Sequence, residues 1–168
     1  QDIELFEGTI SQNISRFGEV EPAKVVAAAK LSDVHEMILA LPDGYDTVIG
    51  ASSGVLSGGQ RQRIGLARAV YGEPKMVLLD EPNSNLDEQG ELALSGALEA
   101  LRKKNTTVII ITHRSGVLGI VDKLLLINDG HMVDYGPRDD VMKRASQKIA
   151  KDKAKTVGPG PVTVTPNI

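Results

Sequence analysis

Two stretches decide how this chain is read: Leu56-Ser57-Gly58-Gly59-Gln60, and Met76-Val77-Leu78-Leu79-Asp80-Glu81. The first opens a helix. Adjacent glycines remove side chains, so a ligand can approach the backbone closely. The free amides and dipole of a helix N-terminus attract anions, and Ser57 adds a hydroxyl donor. Ile64, Ala67, Ala69, Val70 and Tyr71 then form an apolar side, interleaved with Arg61, Arg63 and Arg68. Gly72 and Pro74 stop the helix. Ser-Gly-Gly alone is an ordinary helix cap. The full pentapeptide, running on into Gln60-Arg61-Gln62-Arg63, is far more specific.

The second stretch is a short, unbroken apolar run, which predicts a strand buried on both faces of a parallel sheet. Two carboxylates end it. In open α/β sheets, ligands gather at the carboxyl ends of strands. Asp80 suits a hard cation such as Mg²⁺, which needs oxygen ligands, and Glu81 suits activation of a water. Thr107-Val108-Ile109-Ile110-Ile111-Thr112 is a second, strongly β-branched run, and it leads into His113. Leu94, Ala97, Leu98 and Leu101 repeat at helical spacing between the runs. This predicts a βαβ unit with parallel strands and a right-handed crossover. His113 should then share a sheet edge with Asp80 and Glu81.

From Gln1 to about Arg144 the chain resembles the back part of an ABC exporter nucleotide-binding domain. Residues 56–60 match its signature motif and 76–81 its Walker B segment. Gln1 matches the Q-loop glutamine, which in the family senses Mg²⁺ and water. Asn85-Leu86-Asp87 matches the D-loop, whose Asp87 would communicate across a nucleotide-sandwich dimer, and His113 matches the switch histidine. The resemblance implies an α/β fold: a partial P-loop NTPase domain with a mainly parallel sheet, flanking helices and a helical subdomain, its N-terminal Walker A part missing. It implies ATP and Mg²⁺ as cofactors. Asp80 and Gln1 would serve the metal, and Glu81 and His113 catalysis at the γ-phosphate. Ser57, Gly58, Gly59, Gln60 and Asp87 would bind nucleotide, the signature residues serving the ATP of the partner subunit.

A finer resemblance is to the protease-exporter branch of bacterial type I secretion ATPases. It rests on Gln1-Asp2-Ile3-Glu4-Leu5-Phe6, Gly8-Thr9-Ile10, Asp80-Glu81-Pro82-Asn83-Ser84-Asn85-Leu86-Asp87 and Gly136-Pro137-Arg138-Asp139-Asp140-Val141. This implies a homodimer, a transmembrane domain in the same polypeptide, and periplasmic adaptor and outer-membrane channel partners. The site would be the cytoplasmic face of the bacterial inner membrane. Ala51-Ser52-Ser53 departs from the glutamate usual after Gly50 in such exporters. That puts a contact with the membrane domain in doubt, not the ATP chemistry. The chain also contains no phosphate-binding Gly-x-x-x-x-Gly-Lys-Ser/Thr loop and no Gly-Lys pair. The expectation is a fragment that starts at the Q-loop and neither binds ATP tightly nor hydrolyses it alone.

With 168 residues the chain can bury one core. A net charge of -3 gives no reason to expect nucleic acid. Having no cysteine, it holds no disulfide or thiolate metal site. No apolar run approaches the roughly 20 residues of a spanning helix. Residues 1–150 are expected to form the partial domain, with a helical and signature part at about 9–72 and a Walker B α/β part at about 73–150. Within it, Pro22 suits a helix start, Asp43-Gly44 a turn, and Asp129-Gly130 a hairpin between Leu124–Ile127 and Met132–Tyr135. A last helix is expected from Asp139 to about Ala150, and 151–168 reads as a flexible tail rich in Lys, Gly and Pro.

Two other function classes compete with a protein exporter. One is another ABC-class ATPase, either a lipid or drug exporter or a DNA-repair type, which flanks its signature with coiled coils. The other is a non-catalytic fragment that docks on a membrane domain.

Overall fold

The computed structural model describes residues 3–50, 54, 56–84, 86 and 88–156. Two compact units divide it, Gln1–Ile120 and Val121–Ile168. The first contains β1 (Gly8–Thr9), α1 (Ile10–Ile14), α2 (Pro22–Leu31), α3 (His35–Leu39), β2 (Val48–Ile49), α4 (Gly58–Val70), β3 (Met76–Asp80), α5 (Glu88–Lys103) and β4 (Thr107–Ile111). The second contains β5 (Lys123–Asn128), β6 (His131–Pro137) and α6 (Arg138–Thr156).

The first part of the unit is built on three short helices, α1 to α3. Thr9 and Gln12 form a capping box that starts α1. Arg16 and Phe17, both with φ near +60°, turn the chain away after it. Pro22 occupies the first position of α2, where its missing N–H costs nothing. Val25, Ala28 and Ala29 of α2 pack with Val34, Ile38, Ile10, Ile14 and Ile64 in the core. Asn13 is fully buried without penalty: its carbonyl oxygen accepts from Phe6 N–H, and its amide donates to Phe6 O and Thr9 O. β1 and β2, which show no sequence signal of their own, pair antiparallel.

α4 is anchored at both ends. Ser57 Oγ accepts from Gln60 N–H while Gln60 Oε1 accepts from Ser57 N–H at 2.8 Å. At the other end, Arg16 donates to the carbonyls of Arg68, Ala69 and Tyr71, which satisfies acceptors left open where the helix stops. Gly65 lies against Ile3 so closely that an added Cβ would come within 2.8 Å of it.

β3 and β4 pair in parallel, with Asp80 opposite Ile111. Leu94, Ala97, Leu98 and Leu101 of α5 are buried, as their spacing requires. One expectation is corrected here. β3 is buried on one face only: Val77 and Leu79 are inside, whereas Met76 and Leu78 are about 60% exposed. Ile109 and Ile111 of β4 continue the exposed face. The helices described in this unit cover a single side of the pair, and a run of apolar residues cannot reveal how many layers its chain supplies.

In the second unit, β5 and β6 form an antiparallel hairpin. Asp129 and Gly130, at φ 48° and 75°, make the turn. Arg144 of α6 makes two 2.8 Å hydrogen bonds to the Asp134 carboxylate of β6 and so ties helix to hairpin. α6 also continues to Thr156, past the expected end near Ala150. Lys and Ala in that segment are good helix formers and extend the helix locally. Among the described residues, no helix is long and apolar enough to cross a membrane.

Candidate functional site

Asp80 is the last residue of β3, and Glu81 follows it with its N–H on the carbonyl of Ile111 at 2.8 Å. Pairing with β4 thus carries the ladder one residue past the strand and sets Glu81 beside Thr112 and His113. Glu81 has φ 46°, a left-handed conformation that non-glycine residues seldom adopt. Its Oε1 meets His113 Nδ1 at 2.8 Å and the His113 N–H at 3.2 Å. An ionised carboxylate only accepts, so Nδ1 is the donor in that state. Oε2 faces Thr112 Oγ1 at 3.4 Å. The Thr112 hydroxyl also lies 3.2 Å from Asn83 Oδ1, so one proton is shared between two acceptors.

The hydrogen bond from His113 holds the Glu81 carboxyl below its ordinary range, against desolvation that acts the other way. The Glu81 side chain is about one quarter exposed and the His113 ring about three quarters. Asp80 is exposed, and its carboxylate takes no hydrogen bond among the described residues. Its open carboxylate fits one position on a hard cation. No group of three or more acidic or histidine side chains surrounds it among the described residues. Further ligands would therefore come from phosphate or water.

The signature residues open α4. Ser57 and Gly58 are exposed and Gly59 partly so. Because Ser57 Oγ accepts its hydrogen bond from Gln60, the hydroxyl proton stays available to donate to an anion. Gln60 turns its side-chain oxygen back on the Ser57 N–H, so it also acts as a cap. No described hydrogen bond joins residues 57–60 to Asp80, Glu81 or His113. The structure brings Asp80, Glu81 and His113 to one sheet edge. Gln1, Asp87 and the Ala51–Ser53 departure lie outside the described residues. Sequence reasoning missed Gln62, Asn83 and Thr112. Only the β-branched context of Thr112 is visible in sequence, and nothing marks the other two as buried partners.

The family model described as "ABC transporter" matches residues 1–84. The chain belongs to the ABC transporter family. Its fold is that of the ABC ATPase domain, a P-loop NTPase fold, here mixed α/β. Among curated ABC relatives, it is 49% identical over 160 residues to the "Type I secretion system ATP-binding protein PrsD" of Rhizobium meliloti (strain 1021), covering 94% of this chain and 28% of the relative. It is 42% identical over 144 residues to "Multidrug resistance protein homolog 65" of Drosophila melanogaster, covering 84% of this chain and 11% of that one. The solved structure of a bacterial Atm1-family ABC exporter with ATP bound superposes with a TM-score of 0.77 at 31% identity. That alignment covers 96% of this chain and 28% of the exporter. The chain therefore spans little more than a quarter of the length of these relatives, or less.

Proposed function

We propose that this chain is part of the ATP-binding and ATP-hydrolysing module of an ABC exporter that powers type I protein secretion. The convergence of Asp80, Glu81 and His113 at one sheet edge carries the hydrolytic reading. The similarity to PrsD along nearly the whole chain supports the secretion branch, as does the Asn83-Ser84-Asn85 variant of the loop after Glu81. The similarity to a multidrug resistance protein supports a drug exporter as the second reading.

In the proposed reaction Glu81 takes a proton from the water that attacks the γ-phosphate of ATP. Its two oxygens differ in readiness. Oε1 is occupied by both His113 donors, whereas Oε2 faces only the shared Thr112 hydroxyl, so Oε2 is the oxygen open to a water. His113 orients the carboxylate through Nδ1, and Nε2 donates to a phosphate oxygen when the ring carries both protons. Asp80 would hold Mg²⁺, which when bound draws charge from the phosphates, with Gln1 as a second polar group. Ser57, Gly58, Gly59 and Gln60 present amides and a hydroxyl to the nucleotide of a second subunit, with Asp87 beside that interface. The assembly is a homodimer at the cytoplasmic face of the bacterial inner membrane. Its membrane domain lies in the same polypeptide, and adaptor and outer-membrane channel proteins complete the export path.

The chain itself has no Gly-Lys phosphate loop, so the test belongs in a full-length exporter carrying it. Glu81→Gln should lower ATP hydrolysis by about 100-fold or more while ATP still binds and the dimer stays closed. Wild-type turnover in that variant removes Glu81 from its role as base. Export of a protein with a C-terminal signal, set against efflux of drugs by the same transporter, separates the two branches.

A further inference from the structure

Gln62 lies in α4, between the signature residues and the helix C-terminus, and is only 6% exposed. Its side-chain nitrogen donates to the carbonyl oxygens of Glu81, at 3.4 Å, and of Pro82. Both acceptors are main-chain carbonyls, which offer no proton of their own, so only a donor at this position satisfies them. Its oxygen makes no hydrogen bond among the described residues, so the nitrogen alone carries the link.

The link falls on a strained point. Glu81 holds φ 46°, and such a conformation persists where the surroundings over-determine it. Here the Glu81 N–H is fixed by Ile111 O at 2.8 Å. Its carbonyl is held by Ser84 N–H at 3.2 Å and, from a different element, by Gln62. The backbone twist at Glu81 decides where its carboxylate points. We infer that Gln62 is a positioning residue for Glu81, one that ties the signature helix to the backbone aiming the catalytic carboxylate. The inference rests on the reading of Glu81 as the base. It also gives a direct path between the two halves of the module: movement of α4 against a partner's nucleotide would be felt at the carboxylate serving this chain's own nucleotide.

The test uses the full-length exporter and three variants. Gln62→Met keeps length and fills the space but donates nothing. Gln62→Glu keeps the shape and sets an acceptor against two carbonyls unless it is protonated. Glu81→Gln is the reference. Gln62→Met should lower kcat by about 10- to 100-fold, the cost of a small misplacement of a reacting group, with KM for ATP within twofold of wild type. Gln62→Glu should be impaired at pH 8 and recover relative to wild type as pH falls. Burial raises the introduced carboxyl's pKa, and its protonated form donates again. Added to Glu81→Gln, Gln62→Met should cause no further loss. A wild-type kcat in Gln62→Met overturns the inference. So does a loss in Gln62→Glu that is independent of pH, or a further loss in the double variant, since either marks a packing role. If Gln62→Met fails to fold, the pH profile of Gln62→Glu decides. Turnover surviving in Glu81→Gln overturns the reading of the base instead, and an inactive Glu81→Gln beside a normal Gln62→Met overturns only the inference.

Discussion

Glu81 and His113 hold each other in a 2.8 Å contact. A carboxylate depressed in the folded chain stabilises the fold above its ordinary value near 4.5, and that contribution is lost as pH falls through the lower folded value. His113→Ala removes the first cause of the depression. The Glu81 carboxyl should then titrate closer to 4.5, seen in its side-chain carbon chemical shift by NMR, and the acid limb of stability should move to higher pH. An unchanged titration would mean that His113 does not hold the carboxylate. At this scale motif spacing names Asp80, Glu81, His113, Ser57, Gly58 and Gly59 as candidates, and the contact between Glu81 and His113 follows from the shared sheet edge. Gln62, Asn83 and Thr112 were not. Their importance is a matter of which buried acceptor lies within reach, and no local pattern records that.

Among the elements, α4 shows how one sequence signal can serve two purposes. Ser57-x-x-Gln60 reads as an anion-facing turn, and it is also a capping box. Ser57→Ala should therefore cost about 1 kcal/mol of stability from the lost cap, measured as a lower urea midpoint with unchanged slope. A midpoint equal to wild type would show that Ser57 matters only for ligand. The turn of the β5–β6 hairpin was legible, since Asp-Gly supplies two positive φ angles at little cost, while the strands run one or two residues past the bounds read from sequence and carry an irregularity at Leu126/Ile127. Short β1 and β2 were not. They exist because Gly8 and Thr9 meet Ile49 and Val48 across the first unit, a pairing between residues some 40 apart in sequence.

At the level of the whole molecule, the uncovered side of the β3–β4 pair matters most. Met76, Leu78, Ile109 and Ile111 present a contiguous apolar strip to solvent, and such strips drive association. The chain should self-associate as its concentration rises. Leu78→Thr with Ile109→Thr, which places a β-branched residue at each position, should reduce this in sedimentation velocity and lower binding of a hydrophobic dye. Equal association in the double variant would place the sticky surface elsewhere.

The sequence by itself determined the family, the parallel strand pair, the helix that opens at Ser57, the hairpin at Asp129-Gly130 and the identity of the acidic pair. These depend on local chemistry: periodicity, special backbone angles, and residue types at fixed spacing. Only the tertiary structure decided that Glu81 takes a left-handed backbone, that His113 and Thr112 divide its two oxygens, and that Gln62 reaches it from the signature helix. It also decided that β3 is covered on one face alone. Such features depend on distances between segments far apart in the chain, and those distances exist only once the core has brought the segments together.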